Sequence, residues 1–174
     1  MLTGFDEYAM FFFQDNVRRS VLNGFMVLMG MLDDHGAIWI IMALVMALFR
    51  KTRVSGFRMF LCVAISWVIS DLVLKNLVAR PRPYETLDGL VTLIAPLPSY
   101  SFPSGHACSS FAAATALTML FPEYGVWAYL PAILIAISRV YVGVHYPTDV
   151  IVGSILGTVV AYFVIKMSEK LTNA

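Results

Sequence analysis

Two histidines, four cations and a carboxylate fall in three short polar segments of this chain, set among long apolar stretches. The first segment, KNLVARPRP, holds Lys75 and Arg82, with Arg82 between two prolines. Rigid X-Pro steps on either side of an arginine restrict where its guanidinium can go, although two cations snorkelling at a membrane interface would read the same way. The second, FPSGHACSS, offers Ser104 as an N-cap, Gly105 next to it, and His106 in the first helical turn. Gly105 lets a ligand approach the backbone, and a helix N-terminus with free N–H groups is an anion site. Taken alone, the pattern is also that of a well-capped helix. The third, SRVYVGVHYPTDV, sets Arg139 near a helix end, His145 in a turn, and Asp149 four residues later at the next helix start. A carboxylate bonded to one imidazole nitrogen fixes the tautomer and leaves Nε2 as a nucleophile or base. Asp149 could instead serve only as a helix-dipole partner. Brought together, the three segments would hold a phosphate-like anion against an imidazole.

The elements that must position them are membrane helices. Of the 174 residues, 59% are hydrophobic and 13% charged, and the mean hydropathy is +0.77. That charge is about half the norm for soluble domains, too little to cover a water-facing surface. Only helices and closed barrels span bilayers, and the apolar runs here are continuous with no strict alternation, which selects helices. The reading is an all-α, polytopic membrane helix bundle with six transmembrane helices, over 21–32, 37–49, 56–75, 107–121, 125–144 and 150–165, forming a single domain over 1–174. The shorter runs would borrow flanking residues or thin the bilayer. The N-terminal apolar run Ala9–Phe13 is too short to span and is expected to lie along the interface. It lacks a signal-peptide pattern.

With both termini in the cytoplasm, six spans place Arg18, Arg19, Arg50, Lys51, Arg53, Arg58, Lys166 and Lys170 inside and Lys75, Arg80, Arg82 and Arg139 outside. That bias follows the positive-inside rule, and the outside cations then need another reason to be there. Ionisable groups at membrane depth point to function. His35, in DDHG, reads as solvated. Cys62 and Cys108 read as buried thiols acting as small hydrophobes. Gly153 and Gly157, with Ala112, Ala113, Ala114 and Ala116, read as close helix packing within the chain. Asp71 and Lys75, four apart on a helix, can pair, with Asp71 holding Lys75 toward the site.

In order and spacing, Lys75–Arg82–Pro83, Pro103–Ser104–Gly105–His106 and Ser138–Arg139–His145–Asp149 resemble the three-part signature of the type 2 phosphatidic acid phosphatase superfamily. The resemblance implies a metal-independent phosphatase with no cofactor, working at the extracytoplasmic face of the bacterial plasma (inner) membrane. By it, His145 attacks phosphorus and forms a phosphohistidine while Asp149 orients its ring. His106 protonates the leaving oxygen and then activates water. Lys75, Arg82 and Arg139, with the Ser104 hydroxyl and the Gly105 N–H, hold the phosphate oxygens, a cradle that needs no metal. The implied partner is a membrane lipid with a phosphate headgroup in the bilayer, and no nucleic acid. Undecaprenyl diphosphate is the leading substrate, with phosphatidylglycerol phosphate, phosphatidic acid and lipid A as alternatives. A transporter or channel that only binds anions is the reading from another class. The segment 84–102 is expected to rest on the outer membrane surface and guide a headgroup in sideways; the alternative is a self-packed lid over the helix ends.

Overall fold

The computed structural model describes residues 4–172, and among these there are helices and loops but no strand. Residues 1–3 and 173–174 of the expected domain lie outside the described residues. In chain order the helices are α1 (Gly4–Phe12), α2 (Ser20–Leu32), α3 (Ala37–Leu48), α4 (Arg53–Trp67), α5 (Lys75–Val78), α6 (Pro83–Thr86), α7 (Gly105–Leu120), α8 (Tyr129–Tyr141) and α9 (Pro147–Thr172). A π-helical stretch, Val68–Leu74, joins α4 to α5, and another, Phe13–Val17, follows α1. Helix α5 stops where Ala79 turns left-handed at φ 48°, just ahead of the Arg80-Pro81 step that could not continue it.

Helix α7 is the centre of the bundle, packed by α4, α8 and α9. Its Ala112, Ala113, Ala114 and Ala116 are wholly buried, so neighbouring backbones can come close. The glycines of α9 use that space. A Cβ on Gly153 would lie 2.5 Å from the Ser104 carbonyl, and one on Gly157 would run into the Cys108 carbonyl. The small-residue seam therefore joins α7 to α9 within the chain, as small-xxx-small faces do. Cys62 and Cys108 are buried and unpaired with one another. On the outside the pattern of a soluble protein is inverted: Ile41, Leu48, Phe57, Leu130, Ile155 and Phe163 are exposed. Such continuous apolar surface belongs against lipid.

Among the described residues, two helices are long and apolar enough alone to cross a bilayer, Arg53–Thr86 and Pro147–Leu171, fewer than the six spans expected from hydropathy. The runs 21–32 and 37–49 become one broken rod, α2 running on into α3 with a bend of 43°. The DDHG segment makes a kink, not a hairpin. Gly36 takes φ 77° there, and the neighbouring Asp33 is fixed to α7 by the Ser109 and Ser110 hydroxyls at 2.7 and 2.9 Å.

That continuity moves the start of the chain to the end of the bundle that carries the three polar segments. Arg18 and Arg19, expected at the opposite end, bind there. Arg18 donates to the Tyr141 carbonyl at 3.0 Å and to the Val91 carbonyl at 2.6 Å, and the Arg19 N–H donates to the Tyr141 hydroxyl at 3.1 Å. Helix α1 turns Phe5, Tyr8 and Phe12 outward and buries Asp6 and Met10 on its other stripe, the amphipathic pattern of a surface helix.

The loop over 84–102 is a self-packed cover. Leu93, Ile94 and Leu97 sit against Met26, Tyr141 and Val142, and the Leu93 N–H donates to the Val142 carbonyl at 3.0 Å. The Tyr84 hydroxyl bridges both backbone groups of Leu97. Of the residues expected to meet the membrane surface, Val91 and Tyr100 stay exposed while Leu90 is buried.

Candidate active site

A cavity of about 620 Å³ opens at this end of the bundle, lined by Lys75, Arg82, Gly105, His106, Arg139 and His145. Six residues from three distant segments thus share one space. The two other residues singled out from sequence stand behind its wall: Ser104 and Asp149 are fully buried. His35 lies at the rim, its side chain 82% exposed and 3.1 Å from Asp34, as a solvated residue should.

Each cation is set differently. Lys75 forms an ion pair with Asp71 one turn earlier on the same helix, and the Ser70 hydroxyl holds the other Asp71 oxygen at 2.6 Å. The carboxylate anchors the ammonium at the cavity wall. Arg82 is fixed by four carbonyl or hydroxyl contacts: Ser99 O at 2.6 Å, Val144 O at 2.8 Å, Ser99 Oγ at 3.0 Å and Tyr100 O at 3.2 Å. None of these neutralises its charge, so the positive end stays available to an anion. Arg139 is 4% exposed, and its Nε has no hydrogen-bond partner. Buried guanidinium donors are normally satisfied. Arg139 also lines the cavity, which brings a third cation to the same space.

Ser104 caps α7, its Oγ accepting from the Ala107 N–H at 3.4 Å. Gly105 lines the cavity and also meets a steric constraint that the sequence did not reveal. A Cβ there would lie 2.5 Å from the Asp71 carboxylate, so the missing side chain is what lets the Asp71–Lys75 pair reach the N-terminus of α7. His106 Nε2 lies 3.1 Å from the Gly30 carbonyl. A carbonyl only accepts, which assigns the proton to Nε2 of His106.

His145 is 2% exposed and sits in the turn between α8 and α9. Burial pushes its imidazole down from 6.5 to about 3, and the nearby Arg82 and Arg139 add to this against the opposing pull of Asp149. The ring is therefore neutral near pH 7, the state a nucleophile requires. Its Nδ1 is 3.6 Å from Asp149 Oδ2, an ion-pair distance rather than a closed hydrogen bond, and it has no other partner.

The Asp149 carboxylate is held by three hydrogen bonds among the described residues. Its Oδ1 accepts from Arg80 Nη1 at 2.5 Å, and its Oδ2 accepts from the Tyr146 N–H at 3.0 Å and from the Ser101 hydroxyl. Arg80, read from sequence only as an outside cation, also lies 3.9 Å over the Tyr146 ring and donates to Asp6 at 2.8 Å. Neither Arg80, Ser101 nor Asp6 was singled out as a site residue. The signals were a second arginine beside the prolines and an acid on the apolar stripe of α1.

Comparison with known proteins agrees with this geometry. The PAP2 superfamily model matches residues 55–173. The chain is 33% identical over 155 residues to an undecaprenyl-diphosphatase of Sulfolobus acidocaldarius, covering 86% of this chain and 72% of that protein. Its fold matches the crystal structure of LpxE from Aquifex aeolicus with a TM-score of 0.79 at 29% identity, over 91% of this chain and 94% of the other. A PAP2-type phosphatidylglycerolphosphate phosphatase from Bacillus subtilis superposes with a TM-score of 0.75 at 28% identity, over 95% and 85% of the two chains.

Proposed function

The chain belongs to the PAP2 superfamily and is a lipid phosphatase, and from that premise we propose that it removes the terminal phosphate of undecaprenyl diphosphate through a phosphohistidine at His145. The observation that carries this reading is the convergence of Lys75, Arg82 and Arg139 with two histidines on one cavity. The site is arranged to be completed by a phosphoryl group.

Nε2 of neutral His145 attacks phosphorus, the P–N bond forms, and the bond to the leaving oxygen breaks. The Nδ1 proton points to Asp149, which stabilises the charge that develops on the ring. Lys75, Arg82 and Arg139 hold the equatorial oxygens with the Gly105 N–H at the start of α7, a helix start that the buried Ser104 caps from behind the wall. His106 gives its Nε2 proton to the leaving oxygen, exchanging the Gly30 carbonyl for it. It then takes a proton from the water that releases phosphate and restores His145. These groups supply the charge stabilisation without a metal ion.

In this reading the chain forms one membrane domain that crosses the bilayer five times: α2–α3, α4–α6, α7, α8 and α9. The site end carries Arg18, Arg19, Lys75, Arg80, Arg82 and Arg139, and the other end Arg50, Lys51, Arg53, Arg58, Lys166 and Lys170. Counting alone gives six against six. At the site end, however, only Arg19 is exposed, whereas most of those at the other end face outward. By the positive-inside rule this exposed charge supports a cytoplasmic position for that other end, with the site at the outer face of the plasma membrane. The start of the chain then lies with the site and the C-terminal end of α9 in the cytoplasm. Support for the substrate comes from the Sulfolobus relative.

The test is phosphate release by the purified protein in detergent with EDTA, using undecaprenyl diphosphate, phosphatidylglycerol phosphate, phosphatidic acid and lipid A in parallel. Release should be fastest from undecaprenyl diphosphate. A higher kcat/KM for another lipid would transfer the assignment to it. Binding of these lipids with no release from any would favour an anion-binding transporter.

A further inference from the structure

We propose that Asp6, on the N-terminal helix α1, is a positioning residue for catalysis, acting through Arg80 on Asp149; this rests on the phosphatase reading above. Asp6 lies outside the segment 55–173 that matches the family model, so the family signature does not assign it.

Its placement is unusual for an acid on an amphipathic helix. Glu7, the next residue, is exposed, whereas Asp6 is 0% exposed. Buried carboxylates persist when they are paired and hydrogen-bonded. Asp6 Oδ2 accepts from Arg80 Nη2 at 2.8 Å and from the Thr148 hydroxyl at 2.8 Å, and Oδ1 accepts from the Thr148 N–H at 3.1 Å. Arg80 completes the link, its Nη1 donating to the Thr148 hydroxyl at 2.9 Å and to Asp149 Oδ1 at 2.5 Å. One guanidinium is thus forked between two fully buried carboxylates, with its plane on the Tyr146 ring.

Two consequences follow for His145. First, geometry: the fork fixes Arg80, and Arg80 with Ser101 and the Tyr146 N–H fixes which Asp149 oxygen faces Nδ1. Second, charge: a lone Arg80 would neutralise Asp149, leaving little negative charge for the ring as it becomes cationic. Asp6 supplies the second negative charge, so the buried trio keeps a net charge of about −1 beside His145. Asp6 does not line the cavity, so substrate binding should not depend on it. Removing it should slow the chemical step and leave KM alone.

The experiment compares kcat and KM for phosphate release from a lipid diphosphate by the full-length wild type, Asp6→Asn, Glu7→Gln, Arg80→Gln and Asp6→Asn/Arg80→Gln. Asp6→Asn should lower kcat about 10- to 100-fold, as outer partners of a reacting group do, with KM within about two-fold. Glu7→Gln removes the same charge one residue away and should match wild type. In the Arg80→Gln background the Asp6 substitution should have a clearly smaller effect, because the hydrogen-bonded link to Asp149 is gone and only its charge remains to be lost. Equal effects of Asp6→Asn in both backgrounds, a change confined to KM, or an unchanged kcat would each overturn the proposal. Should Asp6→Asn fail to give folded protein, Arg80→Lys, which keeps the charge but cannot fork, must show the same kcat loss at constant KM, and an unchanged kcat there would overturn it as well. A wild type that releases no phosphate would remove the phosphatase reading together with this one, whereas an active wild type with an unaffected Asp6→Asn would remove this one alone.

Discussion

Nη1 of Arg82 lies 3.4 Å from Nε2 of His145. Arginine has no acceptor atom, so Nε2 carries the lone pair and Nδ1 the proton. The proposed phosphate-binding cation and the proposed nucleophilic nitrogen therefore face each other, and the Nδ1 proton points at Asp149 Oδ2, 3.6 Å away. Catalytic hydrogen bonds that are long without substrate commonly tighten in the reacting complex.

That tautomer depends on Asp149. Asp149→Asn should lower kcat by about 10³-fold or more, since an amide can present its N–H to Nδ1 and favour the wrong tautomer. A near-normal rate by phosphate release would reduce Asp149 to a structural cap for α9.

The depressed imidazole of His145 sets the pH dependence. Its free-enzyme value near 3, against 6.5 for an ordinary histidine, means that the reactive neutral form persists as pH falls through 6.5 and is lost only far below it. The acid limb of kcat/KM should show no enzyme titration near 6.5. Profiles measured with two substrates of different phosphate pKa separate the limbs, because a limb belonging to substrate moves with the substrate. A limb fixed near 6.5 on both would show that His145 is not held neutral.

Gly105→Ala tests the anchoring of Lys75. The new Cβ would lie 2.5 Å from Asp71 Oδ2, so the Asp71–Lys75 pair must shift. A displacement of that kind should cost kcat/KM on the order of 100-fold. Asp71→Asn should lower kcat/KM in the same direction by freeing the ammonium. Unchanged kcat/KM in both variants would show that the pair serves helix packing alone.

Three polar segments were legible in the sequence because their chemistry is local: a capped helix start, a proline-fixed arginine, and histidine and aspartate one turn apart. Their convergence on one cavity required only that the apolar stretches be helices. The links of Asp149 were illegible for the opposite reason. Arg80 and Asp6 are 74 positions apart, and neither helical periodicity nor motif spacing pairs them. The 43° bend that links the two N-terminal runs was not legible because hydropathy cannot distinguish a kink from a reversal. DDHG is polar enough for either, and the decision comes from the Asp33 contacts to Ser109 and Ser110 on α7. The same limit applied to 84–102, whose apolar residues find protein neighbours where lipid had been expected.

The loop gives a prediction of its own. Replacing Leu93 and Ile94 with serine removes apolar contacts with Met26, Tyr141 and Val142, which should cost about 1–3 kcal/mol of stability for each partly buried side chain. Thermal unfolding in detergent should therefore move to lower temperature. KM for a long-chain lipid phosphate and for a short soluble ester should rise together. A KM increase confined to the long-chain substrate, with unchanged unfolding, would show that these side chains guide lipid.

The central claim is that His145 carries the phosphoryl group, and the most direct measurement is chemical trapping. Wild-type protein is mixed with a lipid substrate labelled in its terminal phosphate, quenched in alkali within the first turnovers, digested and mapped. The label should be stable to alkali, lost in mild acid, located on the peptide containing His145, and missing from His145→Ala, which should also lose turnover by well over 10³-fold. Label on another residue, or unimpaired turnover by His145→Ala, would contradict the account.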